Sequence, residues 1–277
     1  MRILIPLCLL FFSFLTTSCG IKKYKNVSYL GSKTTTDEQP TLNIFTPRNS
    51  KSTNNPVLVF VHGGNWNSGD KKLYGFFGSN FAKKGITTVI VGYTLSPKAS
   101  YDEMAVEVAK AIEWTKLNIA NYKGDPKSIF LTGHSAGGHL IALVGTSPKY
   151  IQDKSIIKGI ILNDAAGLDM KYYLEQNPPT LEDDYLTTWT ANPENWKAAS
   201  PIYFLDKNTP PFMIYLGSKT YESIKVANAR FLEKLNLFQP DVKPIILNKK
   251  HIPMMTQYLL PWNKRYSEIK TFIKNNR

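Results

Sequence analysis

Cysteine is almost missing from this chain. Two of its 277 residues are cysteine, Cys8 and Cys19, and both fall within the first twenty. A disulfide framework is excluded, so the fold must stand on its apolar core. Histidine is scarce as well, with four residues and no Cys/His spacing typical of a metal site. Neither a metal nor an organic cofactor is expected. Acidic residues are outnumbered, 21 against 34 Lys and Arg, which leaves a formal charge of +13. The lysines are scattered, with a denser group at Lys264, Arg265, Lys270, Lys274 and Arg277. No Arg-rich tract or nucleic-acid motif accompanies them, so no nucleic-acid partner is expected. The surface reads as one drawn to anionic matrices or lipid headgroups. No internal repeat or low-complexity segment is present.

Long apolar runs are also lacking. The run from Ile3 to Leu15 is shorter than the ~20 residues of a membrane helix. Arg2 precedes it and Thr16-Thr17-Ser18-Cys19 follows, which is the layout of an export signal. The small residues before Cys19 resemble a bacterial lipoprotein signal, although Thr16 stands where Leu is usual. On that reading residues 1–18 are removed, Cys19 carries the lipid, and the protein is anchored at the cell envelope. The alternative is an ordinary signal peptide and a secreted protein. Residues 19–38 read as a polar tether, in which Lys22, Lys23 and Lys25 can lie against headgroups. The remaining 39–277 form one domain, since 43% hydrophobic content over this length suits a single large core.

Within that domain, apolar runs alternate with helical patterns. Thr41–Phe45 reads as a strand of an antiparallel edge. Pro56–Val61, Ile86–Tyr93, Ile156–Leu162, Phe212–Leu216 and Pro244–Leu247 read as buried strands. Leu73–Lys84, Ala105–Ile119 and Ser223–Phe238 carry helical spacing, and Tyr258–Lys274 closes the chain with a last helix expected to start near Pro261. The expected class is α/β, with a mostly parallel central sheet and helices on both faces. Residues 167–200 break the rhythm and concentrate Tyr172, Tyr173, Tyr185, Trp189 and Trp196. An aromatic insertion at this edge of such a sheet reads as a cap over a ligand crevice.

The chemistry centres on Gly133-His134-Ser135-Ala136-Gly137, where an apolar strand turns into an apolar helix. This is the G-x-S-x-G nucleophile elbow. The serine sits in a cramped turn, so residues two places away on either side must lack bulk. A serine hydroxyl needs a base. His134 adjoins the serine and should point away, His139 lies on the following helix, and His62 belongs to a glycine loop. His251, in a loop after the last strand, is the expected base. The acid is expected after Phe212–Leu216, and Glu222 is the nearest carboxylate. Asp164 is the second candidate, and a Ser-His pair with no acid the third. His62-Gly63-Gly64-Asn65-Trp66 supplies unobstructed backbone N–H groups, so Gly64 and Asn65, with Ala136, are the expected oxyanion donors.

These segments resemble the α/β-hydrolase superfamily, in its carboxylesterase and lipase-like branch with a His-Gly-Gly-x-Trp loop. Gly92-Tyr93-Thr94-Leu95, Gly124-Asp125-Pro126, Ala199-Ser200-Pro201 and Pro210-Pro211-Phe212 match as well, so the resemblance covers most of 40–275. It implies a three-layer fold and an acyl-serine mechanism on small-molecule carboxylic esters. Two departures stand out. Thr94 replaces the usual Arg behind the glycine loop, and Thr220 replaces the usual Asp three residues after Gly217. The same parts can also serve an arylformamidase or a peptidase. A non-catalytic binding protein on a hydrolase scaffold is the reading of another class.

Overall fold

The computed structural model describes residues 20–31, 39–48 and 54–277. Cys8, Cys19, the export signal and part of the expected tether lie outside the described residues. The elements in chain order are β1 (Ile21–Ser28), β2 (Thr41–Pro47), β3 (Asn55–Val61), α1 (Gly75–Lys83), β4 (Thr87–Val91), α2 (Tyr101–Asn118), β5 (Gly124–His134), α3 (Ala136–Thr146) and β6 (Ile157–Asn163). They continue with α4 (Met170–Gln176), α5 (Tyr185–Trp189), α6 (Pro193–Ala198), β7 (Phe212–Gly217), α7 (Glu222–Leu235), β8 (Ile245–Leu247), α8 (His251–Thr256) and α9 (Lys264–Asn275).

The eight strands form one sheet in the order β1-β2-β4-β3-β5-β6-β7-β8. Pairing is antiparallel for β1/β2 and β2/β4 and parallel from β4 onward. The continuous apolar runs follow from burial on both faces. On β3, Val57, Val59 and Val61 join a core with α2, α3 and α7, while Leu58 and Phe60 point the other way. That second core takes Phe77 and Phe81 from α1, and Tyr266, Ile269 and Ile273 from α9. Alternating side chains thus feed two layers, and neither face of the strand is solvated.

Three stretches differ from the sequence reading in ways that matter for the sheet and its flanks. Ile21–Ser28, read as tether, is a strand that pairs with β2 from Ile21↔Pro47 to Ser28↔Thr41. β2 is therefore one strand in from the edge. Helix α2 starts four residues before Ala105, because Ser100 and Glu103 form a capping box, worth about 1 kcal/mol. The last helix, α9, starts at Lys264, three residues after Pro261, which lies in the turn between α8 and α9.

Candidate active site

The elbow is built by close backbone approach. Ser135 is held at φ 55°, ψ −124°. A Cβ on Gly137 would lie 2.1 Å from the Val61 carbonyl oxygen, and one on Gly133 would lie 2.5 Å from the Gly137 backbone. Neither contact is tolerable, so both glycines are needed for the serine to stand between β5 and α3. The Ser135 carbonyl accepts from His139 and Ala166 N–H groups, and its own N–H donates to Asn163, which fixes the turn to the end of β6.

Asp164 is the residue after β6. Its carboxylate is fully buried. One oxygen accepts from the Gly217 N–H at 2.8 Å. The other accepts from the Thr220 hydroxyl at 2.5 Å and from His251 Nδ1 at 2.6 Å. The loops after β7 and β8 are zipped together, because Ser218 donates to Leu247 and Lys219 to Lys249. That pairing delivers Thr220 to within 3.4 Å of His251 Nδ1. His251 is the first residue of α8, not a loop residue, and the helix is tied back by Asn163 Nδ2 donating to the Met254 carbonyl. With Nδ1 occupied by the carboxylate, the imidazole is held as the tautomer whose Nε2 can accept a proton.

Glu222, the first candidate for the acid, does not reach this histidine. It opens α7 on the surface, 77% exposed, and its carboxylate meets Lys225 at 3.1 Å. The position where the resembling pattern carries Asp is filled by Thr220, which hydrogen-bonds to the acid supplied one strand earlier. The sequence did offer Asp164 as the second candidate. What it could not show is that the β6 and β7 ends lie side by side.

His134 also departs from expectation. Its ring stacks on His251 at 4.5 Å, and its Nε2 donates to the His251 carbonyl at 3.1 Å. Burial, and then the neighbouring His251, pull its pKa down to about 4. His134 is therefore a neutral plate behind the base. The ligand-type atoms of His134, Asp164 and His251 lie within 4.8 Å of one another. His251 is hydrogen-bonded to Asp164 and stacked on His134, so the cluster reads as a network built around that imidazole rather than a metal cradle.

On the other side, Gly64, Asn65 and Trp66 all have positive φ, at 130°, 49° and 61°. Gly64 can have no side chain, since a Cβ would lie 2.1 Å from the Ser68 carbonyl oxygen. That carries the loop past the first turn of α3, whose N–H groups have no intrahelical partner. Among the described residues, the N–H groups of Gly64 and Asn65 donate to no protein acceptor. Trp66 anchors the loop. Its indole donates to His139 Nδ1 at 3.1 Å, and His139 Nε2 donates to the Ala199 carbonyl at 2.7 Å. The support expected from an Arg at Thr94 comes from elsewhere. Tyr93 Oη donates to the His62 carbonyl at 3.0 Å, while Thr94 is fixed by Glu107.

Residues 167–200 fold as α4, α5 and α6 and their connections. Tyr185 Oη donates to Asn65 Oδ1, Asn67 Nδ2 donates to the Asp183 carbonyl, and Trp189 packs edge-on to Trp66 at 4.7 Å. The segment is thus clamped to the glycine loop. Beneath it lies a cavity of about 480 Å³ lined by Ser135, His134, His251, Gly64 and Asn65. Its walls add Met170, Tyr173, Tyr185, Tyr221, Ile224 and Ile252, with Asp169 and Asp183 as the acidic groups.

A mostly parallel eight-stranded sheet with a serine elbow, and a His–Asp pair on the following strand ends, defines an α/β-hydrolase. Residues 42–235 match the sequence model of the BD-FAE family, and the chain belongs to that family. Esterase LipQ of Mycobacterium tuberculosis is 33% identical over 178 residues, which span 59% of this chain and 42% of that protein. Esterase LipC of the same organism is 31% identical over 194 residues, spanning 65% of this chain and 48% of that protein. The chain thus spans less than half the length of these relatives. Esterase B of Lactobacillus rhamnosis superposes with a TM-score of 0.71 at 19% identity, covering 93% of this chain and 89% of that one.

Proposed function

We propose that the protein is a carboxylesterase-type serine hydrolase acting on small-molecule esters. The observation that carries this reading is the 2.6 Å contact between Asp164 and His251 Nδ1, at the wall of the cavity that the elbow serine also lines. It supplies the oriented base that a serine nucleophile needs, and so counts against a non-catalytic scaffold.

In the proposed reaction Ser135 Oγ attacks the acyl carbonyl carbon while His251 Nε2 takes its proton. Asp164 stabilises the imidazolium through Nδ1–H. The N–H groups of Gly64, Asn65 and Ala136 receive the oxyanion, each worth about 3 kcal/mol in a water-poor site. His251 then protonates the departing alcohol and the acyl-serine forms. Water, deprotonated by His251, attacks that acyl group and frees Ser135. The apolar and aromatic walls suit an acyl or alcohol part of small to medium size. The names of LipQ and LipC, both esterases, support the same reaction class. The residues around Cys19 support anchoring of the exported protein to a membrane by a lipid on that cysteine.

The test is turnover of a panel of acyl esters of graded chain length, with acetyl and feruloyl sugars included. The reading expects hydrolysis of at least one ester class and its loss in Ser135→Ala. A folded protein inactive across the panel, or a Ser135→Ala variant of undiminished rate, contradicts it.

A further inference from the structure

One exposed apolar feature lies away from the cavity. The turn between α8 and α9 presents Leu259, Leu260 and Trp262 to solvent, 54%, 47% and 77% exposed. The turn is held firmly. Lys84 Nζ donates to the Pro261 carbonyl at 2.7 Å and lies 4.8 Å over the Tyr266 ring, and Tyr266 Oη donates to the Tyr258 carbonyl at 2.6 Å. The apolar side chains are therefore displayed by a fixed backbone. Ammonium groups flank the turn, with Lys84 bonded to its Pro261 carbonyl. Lys83, Lys264 and Lys270 are exposed, and the charges of Lys270 and Lys83 join burial in lowering the pKa of Lys84. Glu268, on the same helix, pairs with Arg265 and with Lys264.

We propose that this turn, with the lysines around it, docks on an anionic phospholipid surface and holds the cavity mouth away from the lipid. An indole beside two leucines, on a turn bonded by Lys84 with Lys83 and Lys270 close to it, matches the headgroup boundary of a bilayer, where apolar tips enter and amines meet phosphate. A protein partner fits less well, because a stable interface needs about 800 Å² per side and this apolar turn is four residues long.

The topology sets the orientation. Ser135, Asp164 and His251 sit at the C-terminal ends of β5, β6 and beyond β8. Helix α1 runs the opposite way and ends at Lys83, beside the start of β4 at Thr87. β1 begins at that same edge. Ile21 pairs with Pro47, two residues beyond Phe45, which faces Thr88. Gly20, whose carbonyl accepts from the Arg48 N–H, therefore lies at the edge opposite the active site, the edge that displays the turn. Docking by this face leaves the active site open to soluble esters.

The test is co-sedimentation of the full chain carrying Cys19→Ser with vesicles. One set holds equal parts phosphatidylglycerol and phosphatidylcholine, the other phosphatidylcholine alone. The proposal expects stronger binding to the anionic set. Lys83→Gln and Lys270→Gln should each lower the partition by about fivefold, the worth of one lysine at such a surface. Trp262→Ser should lower it on both sets. Equal binding to the two sets, or variants that bind like the parent, overturns the proposal. So does a concentration-dependent dimer that Trp262→Ser abolishes, since the turn would then join two copies of the chain. Binding is read without turnover, so these outcomes stand whether or not the ester reading holds.

Discussion

Replacing Asp164 by Asn tests where the acid comes from. The carboxylate accepts three hydrogen bonds, from Gly217 N–H, the Thr220 hydroxyl and His251 Nδ1. An amide oxygen can keep some of them but offers no charge to an imidazolium. Its NH₂ group also invites the wrong histidine tautomer. The expected loss is about 10³- to 10⁴-fold in kcat, or about 4–5 kcal/mol at 1.36 kcal/mol per decade. Thr220 supplies a second arm to the experiment. Its Oγ1 is 3.4 Å from His251 Nδ1, and an aspartate there extends its oxygens one bond further. Asp164→Asn with Thr220→Asp should therefore recover at least about tenfold of the lost rate. The assay is steady-state ester hydrolysis, with circular dichroism melts to confirm that each variant is folded. A folded Asp164→Asn enzyme within about threefold of wild type would refute the assignment.

Other consequences can be read in solution. Glu222→Gln should leave kcat within about twofold, because an exposed Glu–Lys pair contributes little; a loss of orders of magnitude would return the acid role to α7. Burial pulls the pKa of His134 and of His139 down to about 4, from an ordinary imidazole value of 6.5. Folded values below the unfolded one mean that the unfolded chain takes up protons first. Their stability contribution is then full above about pH 6.5 and falls as pH drops toward 4, by up to about 3 kcal/mol per imidazole; a urea midpoint that stays flat across that window contradicts the burial account. Trp66→Phe removes the donor to His139 Nδ1 and leaves a buried acceptor unpaired, which should cost about 1–3 kcal/mol in a denaturant melt. An unchanged midpoint would mean that the indole bond does not hold the loop.

Much of the site was legible because its constraints are local. The elbow needs glycines at fixed offsets from Ser135, and the glycine loop needs them at Gly63 and Gly64, so both show in a linear string. The Pro56–Val61 run of β3 is apolar at every position because two cores claim alternate side chains. The acid was not legible in this way. Asp164 and Thr220 are separated by β7 and by α4 to α6, and only strand pairing sets them side by side. His134 was misread for a related reason. A turn residue's direction depends on what packs behind it, and here the His251 carbonyl accepts its Nε2 proton. The β1 strand was hidden because Ile21–Ser28 is polar and lysine-rich. It forms by backbone pairing to β2, with Ile21, Tyr24 and Val27 as its partly buried contacts with the two cores.

The account rests on a hydroxyl at Ser135 made nucleophilic by His251. The most direct measurement is mass spectrometry of the protein after exposure to a fluorophosphonate. The account expects one covalent adduct per chain, mapped to the peptide bearing Ser135 and missing in Ser135→Ala and His251→Ala. A folded wild-type protein that stays unlabelled, or that carries the adduct at another residue, would contradict it.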